Sequence, residues 1–421
     1  MEHIETAESL LREIQQVKKA AISKGALREE KPSDPITPQE QPYQLPNGWM
    51  WVRLGDYALK VTDYVASGSF ASLKENVLIT NEPNYAIMVK TADFATGFTK
   101  GLTYTDRHGY EFLSNSNLFG GELILSNIGS IGKVFIVPYL GQPMTLASNT
   151  VMVKVTNDEL IKYLYYYFLS PLGQRTLKSI SSGTSMMKFN KTQLKNTLVP
   201  VAPLSEQKYI VNLLERTQGI IDHLQQQLHD LDALIKARFV EMFGDPVSNP
   251  KGWRVIPWEG VFDTKTGKLD SNAAVEGGEY PFFTCAKEWL WIDKYAYDCE
   301  ALLLAGNNAA GVYDVKHYKG KFNAYQRTYI LQLKDADWSY SLFKYQLEDR
   351  LQYLQSQSKG TNTRYLTMGI LNSLTFIVPP KELQDEFTTL VSQVDKSKVV
   401  VQEALNKAKL LFDSLMQQYF G

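Results

Sequence analysis

The sequence predicts a mixed helix-and-strand fold, of α/β or α+β type. Two similar globular segments are expected to alternate with two long helices that pair as an antiparallel coiled coil. Three observations support this prediction: the chain repeats itself, each repeat ends in a heptad pattern, and short apolar runs between turn residues indicate strands. With 421 residues the chain is too long for one ordinary core, so more than one domain is expected.

The composition sets limits on the class of protein. The chain is 44% hydrophobic and 21% charged with a formal net charge of −1, as in soluble globular proteins. No run approaches the ~18 apolar residues of a membrane span, and the N-terminus has no basic or apolar leader. Two cysteines and five scattered histidines show no disulfide or metal-ligand pattern. We therefore expect a cytoplasmic protein without a metal site and without membrane association.

The chain contains an internal repeat. Gly183 returns as Gly360, Pro203 as Pro380 and Gly129 as Gly306, each at the same offset of 177 and within a similar segment. A fourth match, Pro46-Asn47-Gly48-Trp49 with Pro250-Lys251-Gly252-Trp253, has an offset of 204. The first copy is therefore longer by 27, which is 204 less 177, in its N-terminal part. Four matches in the same order indicate a duplication.

Each copy ends in a predicted long helix. Apolar residues there follow alternating steps of four and three, which is the seam of a coiled coil. Some 36 helical residues would make a rod of roughly 55 Å, so a spacer is expected, although a plain structural hairpin would show the same pattern. The seam residues are Ile210, Leu214, Thr217, Ile221, Leu224, Leu228, Leu231 and Ile235, followed in the second helix by Phe387, Val391, Val394, Lys398, Val401, Leu405, Ala408, Phe412, Leu415 and Tyr419.

The remaining elements follow from local signals. Apolar runs at 123–125, 133–137 and 150–155 predict strands, and 160–169 and 342–354 predict helices. The tyrosines of 160–169 could stack on bases, but their helical spacing favours a place in the core. The domains expected in chain order are an N-terminal helix (1–23) with a proline-rich linker (1–45 in all), a globular domain (46–202), a helical region (203–245), a second globular domain (246–379) and a C-terminal helical region (380–421).

Two windows contain basic residues and no acidic ones. They are Lys162, Arg175, Lys178, Lys188, Lys191 and Lys195 in the first copy, and Arg350, Lys359, Arg364 and Lys381 in the second. Each surrounds a Gly-Thr loop, and cations beside glycine and hydroxyl groups suit DNA phosphates, whereas amides and arginine suit base edges. The candidate phosphate-contacting residues are Ser182, Gly183, Thr184, Lys188, Lys191, Lys359, Gly360, Thr361 and Arg364. The candidate base-reading residues are Asn127, Asn149, Asn307, Asn308, Gln326 and Arg327.

The sequence motifs of several enzyme classes are incomplete or absent in this chain. Pro379-Pro380 is flanked by Val378 and Lys381, so it is not the Asn/Asp-Pro-Pro-Tyr/Phe loop of an adenine methyltransferase. Residues 260–268 lack the spacing of a phosphate-binding loop, and no nucleophile elbow or kinase motif set is present. We therefore expect no catalytic residues and no cofactor held by this chain.

The sequence resembles the specificity subunits of type I restriction–modification systems along nearly its whole length. The resemblance is carried by 45–56, from Leu45-Pro46-Asn47-Gly48-Trp49 onward, and by Ser182-Gly183-Thr184 leading to Pro203-Leu204-Ser205-Glu206-Gln207. Residues 8–43 look like the connector of such proteins, while Lys381-Glu382-Leu383-Gln384 departs from the motif in the second copy.

The resemblance implies two target recognition domains, each reading half of a split site in double-stranded DNA. The helices would fix the unread gap and dock two methyltransferase subunits, which would bind S-adenosylmethionine and flip out an adenine. ATP and Mg would belong to a restriction or translocase subunit. Two other classes stay open: a free-standing DNA-binding or scaffold protein without a methyltransferase, and a catalytic DNA methyltransferase or another enzyme with an unfamiliar site.

Overall fold

A computed structural model describes residues 6–184, 186–309 and 311–421. It divides into two units, one formed by residues up to Asp222 together with Asn406–Gly421 (unit 1) and one formed by His223–Leu405 (unit 2). Ile4 and the other residues at the start of the predicted helix over 1–23 lie outside the described residues. In the described ranges, no helix is long and apolar enough to cross a membrane.

Unit 1 mixes short strands with short helices. Its strands are β1 (Met50–Arg53), β2 (Lys60–Asp63), β3 (Ala86–Val89), β4 (Tyr104–Thr105), β5 (Asn117–Leu118), β6 (Leu123–Ser126), β7 (Val134–Ile136), β8 (Met144–Leu146), β9 (Thr150–Lys154) and β10 (Leu198–Val201). Its helices are α1 (Ala7–Ser23), α2 (Leu54–Tyr57), α3 (Phe70–Asn76), α4 (Thr91–Ala95), α5 (Arg107–Phe112), α6 (Asp158–Leu169), α7 (Pro171–Ser179) and α8 (Lys191–Lys195).

Two sheets carry the cores of unit 1. One has the order β2–β9–β6–β7 and is antiparallel throughout, and the other has the order β4–β3–β8–β5 with β3 parallel to β8. β6 is buried at every position, so its run of apolar residues is that of a strand covered on both faces. The predicted place of the α6 tyrosines in the core is confirmed for Tyr163, Tyr166 and Tyr167, which are all buried.

The proline-rich segment 24–44, which we call the strap, lies against unit 1. The Arg53 guanidinium donates to the backbone oxygen of Asp34 at 3.0 Å and to Glu40 Oε1 at 2.9 Å. Trp51 Nε1 donates to the Tyr43 carbonyl, also at 3.0 Å. Ahead of the strap, α1 buries Leu10 and Ile14, whereas Val17 is exposed.

Two 40-residue helices, α9 (Leu204–Phe243) and α14 (Lys381–Phe420), each contribute to both units. In unit 2 they run antiparallel: Phe239 packs edge-on against Phe387 with ring centroids 5.5 Å apart, and Asp232, nearer the start of α9, pairs with Lys398, nearer the end of α14. In unit 1 the start of α9 and the end of α14 share one apolar core. All predicted seam residues are buried or half-buried, so the predicted antiparallel pairing is confirmed. Gly244 follows α9 with φ 77°, a left-handed conformation that commonly ends helices and that favours glycine.

Unit 2 has a longer sheet. Its strands are β11 (Arg254–Pro257), β12 (Phe262–Thr266), β13 (Tyr280–Phe283), β14 (Leu290–Ile292), β15 (Tyr297–Ala305), β16 (Asn307–Asn308), β17 (Val315–Ala324), β18 (Thr328–Leu333), β19 (Arg364–Tyr365) and β20 (Thr375–Val378). Its remaining helices are α10 (Trp258–Val261), α11 (Tyr340–Asp349), α12 (Leu351–Gln357) and α13 (Met368–Leu371). The main sheet has the order β12–β18–β15–β17–β13–β14.

The single helix predicted over 342–354 is wrong, because the structure has α11 and α12 separated at Arg350. The Arg350 N–H donates to the carbonyls of Glu348 and Leu347, which tightens the last turn of α11 and ends it. The predicted mixture of helices and strands is otherwise confirmed, with the predicted strands at 123–125, 133–137 and 150–155 present as β6, β7 and β9.

The repeat is visible in the strand register. β1 pairs with β10 through Met50 opposite Val201, and β11 pairs with β20 through Arg254 opposite Val378. The partners on β1 and β11 are offset by 204 and those on β10 and β20 by 177, which are the two offsets found in the sequence. The glycine of each Pro-x-Gly-Trp segment has a positive φ, 88° at Gly48 and 69° at Gly252, so glycine is the favoured residue there.

A buried glutamine is also repeated. Gln207 Nε2 donates to the Ala202 carbonyl at 2.7 Å, and Gln384 Nε2 donates to the Pro379 carbonyl at 2.8 Å. The two glutamines are again offset by 177. The second copy lacks the Leu-Ser-Glu-Gln motif but keeps its glutamine. In both copies this side chain bonds the start of the long helix to the residue that follows the preceding strand.

Candidate nucleic-acid interface

The Gly-Thr loop of unit 1 is a closed turn. Ser182 and Lys188 exchange backbone hydrogen bonds, each with an N–O distance of 2.9 Å. Gly183 between them has φ 123°, and a Cβ at this position would lie 2.4 Å from the Met186 carbonyl oxygen. The loop therefore needs glycine, and it presents Thr184 and Lys188 to solvent.

This loop is joined to the end of β6. Phe189 N donates to the Asn127 carbonyl at 3.1 Å, and Asn127 Nδ2 donates back to the Phe189 carbonyl at 3.3 Å. Asn127 N in turn donates to the carbonyl of Asn149, a residue with φ 73°. The structure thus brings the predicted residues Asn127 and Asn149 beside the predicted loop.

These residues line a cavity of about 420 Å³ in unit 1. Asn127, Asn149, Ser182 and Lys188 all contribute to its wall. Sequence reasoning missed several other lining residues, namely Asp63, Tyr64, Phe70, Asn190 and Gln193. Asn190 and Gln193 form a reciprocal cap at the start of α8, so the Asn-x-x-Gln spacing was an available signal for that helix.

The cavity combines apolar surface, part of it aromatic, with several polar side chains. Phe70 is a lining residue that is 78% exposed, and burial raises the pKa of the Tyr64 phenol above its ordinary value. Lys191 Nζ donates to Asp63 Oδ1 at 3.0 Å and so neutralises the carboxylate in the wall. Amide, hydroxyl and ammonium groups beside an exposed aromatic ring can bind phosphates and bases.

Unit 2 contains a second loop of the same construction. Lys359 and Tyr365 exchange backbone hydrogen bonds at 3.1 and 2.8 Å. Gly360 has φ 103°, and a Cβ there would lie 2.1 Å from the Thr363 carbonyl oxygen. Thr361 lies at the exposed tip.

The second loop is likewise joined to the strand end that carries asparagines. β16 pairs with β19, which places Asn307 opposite Tyr365 and Asn308 opposite Arg364. The next contact is Leu366 N to the Gly306 carbonyl at 2.8 Å. The structure therefore brings Asn307, Asn308 and Arg364 together with the loop.

Gln326 and Arg327 lie one strand further away. The Arg327 carbonyl accepts from Gly306 N at 2.8 Å, so its backbone adjoins the asparagine strand. Gln326 Nε2 donates to Asp270 Oδ1 at 2.8 Å, so this amide is already engaged within unit 2.

The two Gly-Thr loops make equivalent backbone hydrogen bonds to their neighbouring strand ends. Phe189 donates to Asn127, and its counterpart Leu366, at the offset of 177, donates to Gly306. The acceptors Asn127 and Gly306 are offset by 179, so the repeat is displaced by two positions at the end of β15. The asparagines of the second copy follow Gly306 rather than replacing Asn127.

Part of the basic charge in the two windows is neutralised. Lys162 pairs with Glu215, Lys195 with Glu30, and Lys381 with Asp385. Of the basic residues in the two windows, those without an ion pair to any residue that the structure describes are Arg175, Lys178, Lys188, Arg350, Lys359 and Arg364. The cations nearest the two Gly-Thr loops, Lys188, Lys359 and Arg364, are exposed and belong to this group.

Comparison with known proteins identifies relatives. Residues 46–231 and 250–409 match the family described as Type I restriction modification DNA specificity domain. The chain is 34% identical over 160 residues to the type I restriction enzyme EcoDI specificity subunit of Escherichia coli, covering 37% of this chain and 34% of that protein. It is 27% identical over 257 residues to the EcoAI specificity subunit of Escherichia coli, covering 55% and 40%.

The chain thus spans between 34% and 40% of the length of these curated relatives. Among solved structures, it is similar to the S subunit of a type I restriction–modification system from M. genitalium. The TM-score is 0.57 with 15% identity, covering 90% of this chain and 98% of that one. At this identity the likeness is one of fold.

Proposed function

Because the chain belongs to the family of type I restriction modification DNA specificity domains, we propose that it selects the DNA sequence on which a type I restriction–modification complex acts. Each repeat reads one half of a split site in double-stranded DNA. The relatives named above are specificity subunits, which supports this role for the matched segments.

One observation carries the proposal: the same Gly-Thr loop is built twice. In each unit a glycine with positive φ closes the loop, and backbone hydrogen bonds join the loop to a strand end with asparagine. Lys188 in unit 1 and Lys359 and Arg364 in unit 2 would contact phosphates, which position the protein. Asn127 and Asn149, with Asn307 and Asn308 in the second copy, are the proposed base readers.

The chain supplies recognition and leaves the reaction to its partners. Two methyltransferase subunits would hold S-adenosylmethionine, and a restriction or translocase subunit would hold ATP and Mg. Exposed apolar residues on the long helices, among them Leu234, Val399 and Val400 in unit 2, support their use as docking surfaces for the methyltransferases. The alternatives are a free-standing DNA-binding or scaffold protein and a catalytic DNA methyltransferase.

Mixing experiments distinguish these functions. We expect sequence-specific adenine methylation only when the full chain is combined with its cognate methyltransferase, and none from either protein alone. Methylation by the chain alone would identify an enzyme. Specific DNA binding by the chain without any methyltransferase complex would identify a free-standing binding protein.

A chimera tests the division of labour between the repeats. Replacing residues 46–202 by the corresponding segment of another specificity subunit should change one half of the methylated sequence and keep the other. Methylome sequencing of cells that carry the chimera provides the measurement, with the unaltered chain as control. A change in both halves would contradict the proposal.

A further inference from the structure

A second cavity in unit 1 is strongly cationic. It has a volume of about 300 Å³ and lies among the end of α1, the start of the strap, β2 and α8. Its charged lining residues are Lys18, Arg28, Lys60, Lys191, Lys195 and one carboxylate, Glu30. None of Lys18, Arg28 and Lys60 was among the predicted site residues.

The cations of this cavity exceed their counter-ions. Lys195 pairs with Glu30, and Lys191 pairs with Asp63 at 3.0 Å. Among the described residues, Lys18 Nζ donates only to backbone oxygens, at 2.7 Å to Gly55 and 3.3 Å to Ala58. Arg28 and Lys60 have no ion pair with any residue that the structure describes. Asp56, near Lys18, offsets some of the excess.

The position of Lys60 is electrostatically unfavourable when no anion occupies the cavity. It lies directly opposite Lys154 in the β2–β9 pair, and like charges in that position destabilise a sheet. Burial and the charge of Lys154 lower the pKa of Lys60, and burial likewise lowers the pKa of Lys18. A bound anion would relieve both penalties, since it would compensate charge that the protein leaves uncompensated.

We propose that this cavity binds a phosphate group, and that in the working complex the phosphate belongs to the DNA backbone. Arg28 from the strap and Lys60 from β2 hold it from two sides. The proposal rests on the proposed function, because it extends the DNA interface from the Gly-Thr loop to the N-terminal segment.

Continuity between the two cavities favours DNA as the source of the phosphate. Lys191 lines the cationic cavity, while its ion-pair partner Asp63 lines the larger cavity together with Asn127 and Lys188. The Lys191–Asp63 pair is therefore a shared wall. A duplex whose bases face the exposed Asn149 of the larger cavity would have backbone phosphates next to this wall.

The salt dependence of DNA binding tests the proposal. In the complex of the full chain with its methyltransferase, the variants Lys60→Met, Arg28→Gln and their combination are compared with the unaltered protein. Loss of one phosphate contact should reduce the slope of log K against log salt by about 0.9 in the double variant, while the methylated sequence stays the same. Lys100→Met is the matched control, because Lys100 is exposed in unit 1 and lines neither cavity.

A second measurement separates the two sources of phosphate. Inorganic pyrophosphate is titrated calorimetrically into the full chain and into the double variant. Pyrophosphate binding that the double variant loses, with an unchanged DNA slope, would support a phosphate site that takes a free ligand. An unchanged slope without pyrophosphate binding would overturn the proposal. If the unaltered complex does not bind DNA at all, the proposed function fails, and the pyrophosphate titration alone decides the nature of the cavity.

Lys60→Met also has a built-in check on folding. Because it removes one member of a like-charge pair, its melting temperature should equal or exceed that of the unaltered protein. A weakened DNA complex with an intact melting temperature then reports on the contact.

Discussion

The buried glutamine at the start of α9 offers the sharpest test of the packing described above. Gln207 is fully buried, accepts a hydrogen bond from the Tyr57 hydroxyl at 2.7 Å and donates to the Ala202 carbonyl at 2.7 Å. Gln207→Leu would leave both groups without a partner in the core. At ~1–3 kcal/mol for each of these two unsatisfied buried groups, we expect unit 1 to lose about 2–6 kcal/mol.

The corresponding substitution in the second copy, Gln384→Leu, should destabilise the protein less than Gln207→Leu. Gln384 accepts from Ser339 N at 3.0 Å and donates to Pro379, but Ser339 is only half-buried, so water can reach its amide. For Gln384→Leu we expect a loss of about 1–3 kcal/mol, located in unit 2. Gln225→Leu on the exposed face of α9 is the control and should change stability by less than ~0.5 kcal/mol.

Urea denaturation combined with hydrogen exchange resolved by mass spectrometry measures these losses and assigns each to its unit. The hydrogen bond between Tyr57 and Gln207 is tested by a double-mutant cycle of Gln207→Leu with Tyr57→Phe, for which we expect a coupling free energy of about 1–2 kcal/mol. Strict additivity of the two changes, or a Gln207→Leu chain as stable as Gln225→Leu, would refute the reasoning.

Three further predictions concern the loop, the helix pair and pH. Gly183→Ala should lower DNA affinity at least about 10-fold with an unchanged circular dichroism spectrum, because a Cβ there lies 2.4 Å from a backbone oxygen, whereas Gly219→Ala, with open space around it, should bind normally. Phe239→Ala should destabilise unit 2 by about 3–5 kcal/mol, because this fully buried ring packs against three other aromatic rings. Urea denaturation measures the loss, and a value below ~1 kcal/mol would contradict the prediction. Burial raises the pKa of Tyr167 and Tyr345 to about 12. The stability that these neutral phenols contribute to the folded state is therefore complete below the unfolded pKa of about 10 and is lost as the pH rises towards 12. The melting temperature should be level to about pH 9.5 and then fall, and a level profile to about pH 11 would count against this reasoning.

The features that the sequence predicted correctly are local or periodic. The heptad seam of α9 and α14 depends on spacing within one helix, and the repeat depends on comparing the chain with itself, so both are visible without coordinates. The Gly-Thr loops were found because the same short pattern occurs twice. Gly183 and Gly360 then proved to have the positive φ that explains the pattern.

The features that sequence reasoning missed depend on long-range contacts. Asp63 lines the cavity and is bonded to Lys191, which is distant in the chain, and no periodicity links the two. The strap has the composition of a linker, yet Arg53 and Lys195 hold it through side-chain bonds that composition does not encode. The displacement of the second asparagine pair to Asn307 and Asn308 follows from the pairing of β16 with β19, which also lies beyond local patterns.

The pairing of the first and last strand in each copy has a consequence for how such chains can change in length. The stretch 54–197 lies between β1 and β10, and the shorter stretch 258–374 lies between β11 and β20. Both stretches begin and end at neighbouring backbone positions, so each behaves as a closed loop whose entropic cost grows only with the logarithm of its length. The longer loop costs roughly 0.2 kcal/mol more. Evolution can therefore add or remove whole hairpins inside either loop while its two anchoring ends stay where they are.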